Sequence, residues 1–185
     1  MSGRKSLIAA KRGDNDAKEG VILAQTTGDG KAGVILTLNC ETDFVAKNEG
    51  YVSLVQSLIN KALENLPESV EALKALSYDD KLSIDEKITE QIGVIGEKLD
   101  LSGYAVLRGD KVVAYNHPGN QLATLVVLNS ASETASEAGR QVAMQVAAMN
   151  PIAVTKDGVD SRTIEREVEI GKELAIQEGK APDMA

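Results

Sequence analysis

The spacing of apolar and polar positions changes along this chain, and each change predicts an element. Gly20–Gln25 and Gly33–Leu38 are short apolar runs separated by Thr27-Gly28-Asp29-Gly30-Lys31, a Gly/Asp turn signal, so they predict a β-hairpin. From Val52 the period lengthens. Val52, Val55, Leu58, Ile59, Ala62, Leu63 and Leu66 recur at the i, i+3, i+4, i+7 spacing of an amphipathic helix. Pro67 ends that helix, and Val70, Leu73 and Leu76 share a face of the next. Ser83-Ile84-Asp85-Glu86 has the form of a capping box, and Ile84, Ile88, Ile92 and Ile95 then line one stripe. Gly93 and Gly96 weaken that helix, or let another chain approach its end closely.

A second β region follows. Tyr104–Arg108 is read as turning at Gly109-Asp110 into Lys111–Tyr115, with His117-Pro118-Gly119-Asn120 as the next turn and Leu122–Leu128 as the next strand. Ser130-Ala131-Ser132-Glu133 predicts another capping box before an Ala-rich helix carrying Ala135, Val142, Val146 and Met149, stopped by Pro151. Ser161 is expected to cap a last helix with Ile164, Val168, Leu174 and Ala175, and Gly179 to stop it.

A shift of 90 positions lays Ile22-Leu23-Ala24 on Val112-Val113-Ala114, Ile35-Leu36 on Leu125-Val126, and Leu38-Asn39-Cys40 on Leu128-Asn129-Ser130. Identities are few, so a true repeat and a chance likeness of two hairpins are both open. The repeat reading predicts an α+β fold of two related lobes, each a small antiparallel sheet covered by helices. Residues 1–19 would be a basic, partly disordered linker, 20–100 the first lobe, and 101–185 the second lobe with its C-terminal helix.

Composition narrows the function. The core must be aliphatic, because 43% of the 185 residues are hydrophobic but only 3% aromatic, with no Trp and one Phe. Net charge is −8, and the stretch Lys61–Asp100 is strongly acidic, which disfavours phosphate backbones; no nucleic-acid partner is expected. No apolar run approaches the roughly 20 residues that span a bilayer. A single Cys excludes an internal disulfide and suits a reducing cytoplasm, and no Cys/His cluster suggests a metal. The final residues carry no terminating pattern, so the chain is read as part of something longer.

Catalytic chemistry finds little support. A Cys40–His117 dyad, and with it a Cys-dependent enzyme, is formally open, against a Cys40 that simply ends an apolar strand as a small buried hydrophobe. There is no Walker-type phosphate loop and no strand-linked dinucleotide fingerprint, so no cofactor and no small-molecule substrate is expected. Asp79-Asp80 and Asp85-Glu86 lack calcium-loop spacing and read as solvated helix ends.

The segment Glu41–Asn48 differs. Thr42 can cap a short turn of Asp43, Phe44, Val45 and Ala46, and Asn48 can cap the long helix behind it, so the intervening turn would project as a corner. Phe44 either plugs the core or anchors an interface, and both readings are open from position alone.

The run Asn39-Cys40-Glu41-Thr42-Asp43-Phe44-Val45-Ala46-Lys47-Asn48 resembles the hallmark of bacterial elongation factor Ts. Ala9-Ala10-Lys11-Arg12, Glu19-Gly20-Val21, Ile95-Gly96-Glu97, Tyr115-Asn116-His117 and Val142–Ala148 resemble further family motifs in the same order. The resemblance implies guanine-nucleotide exchange on elongation factor Tu by binding, without covalent chemistry. It implies that Thr42, Asp43, Phe44 and Val45 dislodge the GTPase's Mg²⁺, that Ile95 and Gly96 line the same domain, and that His117 marks a second-lobe contact. His117 is equally open as a satisfied turn histidine. The family's N-terminal helical domain and its C-terminal coiled coil are expected to lie outside this chain, which would leave the two-lobed core. A scaffold or dimerisation module that kept the core without exchange activity is the alternative.

Overall fold

The computed structural model describes residues 16–177 and Gly179. The Ala9–Arg12 motif, most of the expected 1–19 linker and all but Gly179 of the chain's last eight residues lie outside the described residues. The described residues up to Ala148 form one compact unit, and those from Met149 onward form a second.

In the first unit, strands β1 (Glu19–Thr26) and β2 (Ala32–Cys40) form the expected antiparallel hairpin. Alternation along β2 turns Val34, Leu36, Leu38 and Cys40 inward, all fully buried. Helix α1 (Asp43–Ala46) is a single turn, and α2 (Glu49–Asn65) lays Tyr51, Leu54, Val55, Leu58, Ile59 and Ala62 on the sheet. It ends at Leu66 in the left-handed region, immediately before Pro67. Short α3 (Val70–Ala75) adds Leu73, and α4 (Ile84–Ile95) adds Ile84, Ile88 and Ile92. The Ser83 capping box at the start of α4 is present as expected. The core is therefore aliphatic, as the composition demands, with Tyr51 the one aromatic wholly inside it.

Strand β3 (Asp100–Arg108) departs from expectation. It does not turn back onto the next strand but pairs antiparallel with β2, completing a three-stranded sheet β1-β2-β3 with a bulge between Thr37 and Leu38. Joining β2 gives both edges of a long strand with one fully buried face a hydrogen-bonding partner. Strands β4 (Lys111–Asn116) and β5 (Ala123–Leu128) form a separate hairpin. Its register matches that of the first hairpin. The pairs Val21↔Leu38 through Ala24↔Ile35 become Lys111↔Leu128 through Ala114↔Leu125 under the same shift of 90. Each hairpin is also followed by a 17-residue helix, α2 and then α5 (Glu133–Met149). The matched ladders and helices support a repeat over chance likeness.

One local expectation for α5 needs correction, and its packing face adds a finding. The N-terminal cap of α5 is Ser132, whose Oγ accepts from the Ala135 N–H at 3.1 Å, and Ser130 only bonds Ser132. The face that α5 packs is Gly139 and Ala143, not Val142 and Met149, which are exposed. A Cβ at Gly139 would stand 2.6 Å from Leu128 Cδ1 and 3.0 Å from Val113 Cγ2. The smallest residues thus sit where helix and sheet come closest.

In the second unit, a 3₁₀ turn (Lys156–Gly158) precedes α6 (Ser161–Gln177), which buries none of its described residues. Asp160, not Ser161, caps it, accepting from the Arg162 N–H at 2.8 Å. Gly179 has the left-handed backbone of a helix stop, with φ +82° and its N–H on the Ile176 carbonyl.

The Tyr51 hydroxyl donates to the Leu38 carbonyl at 2.7 Å inside the core, and burial pushes its pKa far up. Tyr51→Phe should therefore lower unfolding free energy by about 1–2 kcal/mol, the cost of an unsatisfied buried carbonyl, read as a shifted urea midpoint at unchanged slope.

Candidate functional site

The site is the corner between β2 and α2. Thr42 has extended backbone (φ −125°, ψ 153°), and its Oγ1 accepts from the Val45 N–H at 3.4 Å. Asn48 Oδ1 accepts from the Gly50 and Tyr51 N–H groups at 2.9 and 3.2 Å. Both expected caps are present, and they confine α1 to one turn. Ala46 is buried and Val45 packs against the core, so the turn is held from below. Phe44 points the other way and is 83% exposed. The core-plug reading of Phe44 is overturned: Val45 and Ala46 fill the inward positions, and a single turn has no third. Leaving a Phe in water forfeits about 2 kcal/mol of burial, so folding gains nothing from its presence here. Beside it, Asp43 bonds Lys47 Nζ at 2.7 Å, one turn on. That hydrogen bond and the lysine charge hold the Asp43 carboxyl below its ordinary range.

A second element reaches the corner. α4 ends at Gly96, whose left-handed backbone (φ +83°) reverses the chain. The next residue, Glu97, then faces the corner. Its Oε2 accepts from the Glu41 and Thr42 N–H groups, each at 3.1 Å, and its Oε1 accepts from the Thr42 hydroxyl at 2.7 Å. In return Glu41 Oε1 accepts from the Lys98 N–H at 2.6 Å. These bonds bring Thr42–Val45 together with Ile95 and Gly96. Ile95 is the fourth member of the isoleucine stripe but is only partly buried, and Val94 in the same last turn is 62% exposed. Glu97 and Glu41 were not among the expected site residues, although both stand inside the motifs that suggested the site.

His117 lies elsewhere, at the turn between β4 and β5. Its ring is exposed, with Nδ1 2.9 Å from Tyr115 Oη. Its backbone N–H donates to the Leu122 carbonyl, and its carbonyl accepts from the Asn120 N–H. The turn is fastened to the outer edge of β1. The Asn116 amide pairs with both backbone groups of Ala24 at 2.8 and 2.9 Å, and the Ile22 N–H donates to the Asn120 carbonyl at 2.7 Å. Asn116 thus substitutes for a missing strand and covers the edge.

Nothing here activates a nucleophile. Cys40 is fully buried, its Sγ bonds the Thr42 carbonyl at 3.2 Å, and burial pushes its thiol pKa up, the reverse of what nucleophilic chemistry needs. Its Sγ hydrogen bond goes to the corner, while Nδ1 of the exposed His117 ring bonds Tyr115. Among the described residues no group of three or more His, Cys, Asp and Glu side chains is placed to hold a metal ion. No described helix is long and apolar enough to cross a membrane.

The family profile described as Elongation factor TS matches residues 41–185. The chain belongs to the elongation factor Ts family. Elongation factor Ts of Christiangramia forsetii is 45% identical over 177 residues, covering 96% of this chain and 64% of that relative. The Amoebophilus asiaticus protein of the same name is 46% identical over 178 residues, with the same coverage, and that of Parabacteroides distasonis 43% over 175 residues, covering 94% of this chain and 50% of its own. The chain therefore spans less than two thirds of the elongation factor Ts relatives it matches. The family match starts at Glu41, the first residue held by Glu97.

The buried thiol gives a direct check. Cys40 in the native protein should react with Ellman's reagent at pH 8 at least about a hundredfold more slowly than in 6 M guanidinium, because reaction requires opening of the core.

Proposed function

We propose that this chain promotes guanine-nucleotide exchange on elongation factor Tu. The reading rests on one observation above the others: a Phe that folding does not use, exposed on a capped and clamped turn beside a charged Asp. Buried aromatic anchors dominate protein interfaces, and Phe44 has the makeup of one. Membership of the elongation factor Ts family supports the choice of partner. Because the chain covers only part of its relatives, the activity is proposed for the chain as it stands.

Exchange by this route is linkage. A partner that binds the nucleotide-free GTPase more tightly must weaken nucleotide binding by the same factor. Thr42, Asp43, Phe44 and Val45 would enter beside the magnesium site of elongation factor Tu. Phe44 buries its ring in a groove that is closed when Mg²⁺ and GDP are bound. Losing Mg²⁺ removes the charge that bridges the phosphates, and GDP leaves. Ile95 and Gly96 press on the same domain, and His117 provides a second contact from the turn between β4 and β5. No bond is made or broken by this chain, so it acts as a binding protein and not an enzyme. It works in the cytoplasm, without a nucleic acid, membrane or small-molecule substrate of its own.

Release of fluorescent GDP from elongation factor Tu tests this. The chain should accelerate release, and Phe44→Ala should reduce the acceleration by about tenfold or more at an unchanged melting temperature, since losing a buried Phe costs roughly 2 kcal/mol of the complex. Binding without acceleration would favour a scaffold that kept the core. His117→Ala should weaken affinity for the GTPase by about tenfold at most, the scale of one exposed contact. Unchanged affinity would leave His117 as a turn residue whose ring bonds Tyr115.

A further inference from the structure

We infer that Glu97 is a positioning residue for the exchange segment, holding the corner and the end of α4 as one rigid piece. The inference rests on the exchange reading above and goes beyond it, because Glu97 need not touch the GTPase.

Three donors converge on one carboxylate: the Glu41 N–H, the Thr42 N–H and the Thr42 hydroxyl. An ionised carboxylate is the only protein side chain that offers acceptors alone on two oxygens, so it matches three donors with no mismatch. The Thr42 hydroxyl shows what this achieves. Its hydrogen is committed to Glu97, which leaves its lone pairs to receive the Val45 N–H. The clamp therefore fixes the cap, and the cap fixes the turn that carries Phe44. The reciprocal bond from the Lys98 N–H to Glu41 closes the link from the other side. The three bonds to Glu97 and the one from Lys98 each span more than fifty residues of sequence, so none of the four follows from local helix or turn geometry.

The consequence is preorganisation. Without the clamp, α1 keeps only its core packing and its caps, and a turn of that length adds little stability of its own. Phe44 would have to be ordered on binding, at the expense of the force it applies to the GTPase. The clamp also couples the Thr42–Val45 wedge to Ile95 and Gly96, so the two contacts act together.

The test is stopped-flow release of fluorescent GDP from elongation factor Tu, with rate measured against concentration of this chain. Glu97→Ala should lower the saturating rate by about tenfold or more, the range expected when a well-oriented group is released to wander. Glu97→Gln should fall between wild type and Glu97→Ala: its carbonyl still serves the two N–H groups, while its NH₂ faces the Thr42 hydroxyl. Tyr51→Phe serves as the stability control, since it weakens the core and removes none of the clamp's hydrogen bonds. It should leave the saturating rate unchanged at a temperature where all variants are folded. An active wild type with Glu97→Ala equal to it would overturn the inference alone. So would a loss that tracks melting temperature across all three variants, because the role would then be merely structural. A wild type that does not accelerate release would overturn the exchange reading, and this inference with it.

Discussion

The carboxylate of Glu97 takes hydrogen bonds from two backbone N–H groups and one hydroxyl at the corner after β2. The rest of the site depends on that arrangement. A four-residue turn such as α1 cannot stabilise itself, since forming a first helical turn is unfavourable. It is held by three things: Val45 and Ala46 packed on the core below, Thr42 and Asn48 capping its flanks, and the Glu97 clamp at its entry.

The repeat gives this corner a context. Two hairpins share one register under a shift of 90, and each leads into a 17-residue helix. Between strand and helix, the second copy needs only Asn129–Ser132. The first copy spends Glu41–Asn48 on the same crossing and builds α1 from the excess. The corner is thus an elaboration of a connection the fold can make more briefly. The extra chain is held by Glu97, just past the end of α4.

What could be read in advance was what local chemistry decides. The caps at Thr42, Asn48 and Ser83 depend on residues at most three positions away, and all three are present. The shift of 90 was visible because matched strand pairs keep matched apolar runs. The outcome at Phe44 was not legible, since burial is settled by what Val45 and Ala46 leave room for. The pairing of β3 with β2, and not β4, is a long-range choice that two adjacent runs and a Gly-Asp turn do not reveal. The packing face of α5 is not marked by its large apolar residues: Val142 and Met149 are exposed, whereas close approach selects Gly139 and Ala143. Glu97 was quoted within a motif and given no role, because its partners lie 55 and 56 residues away.

The central claim is that the corner is already fixed before any partner arrives. Amide hydrogen exchange of the unbound wild-type chain, resolved to single residues, measures this directly. The N–H groups of Glu41 and Thr42 are donors to Glu97, so they should exchange at least about a hundredfold more slowly than in an unstructured peptide, close to the neighbouring amides of β2. Exchange of both at the unprotected rate, with β2 still protected, would contradict the account: the clamp would then be absent from the free protein and Phe44 would sit on a loose loop.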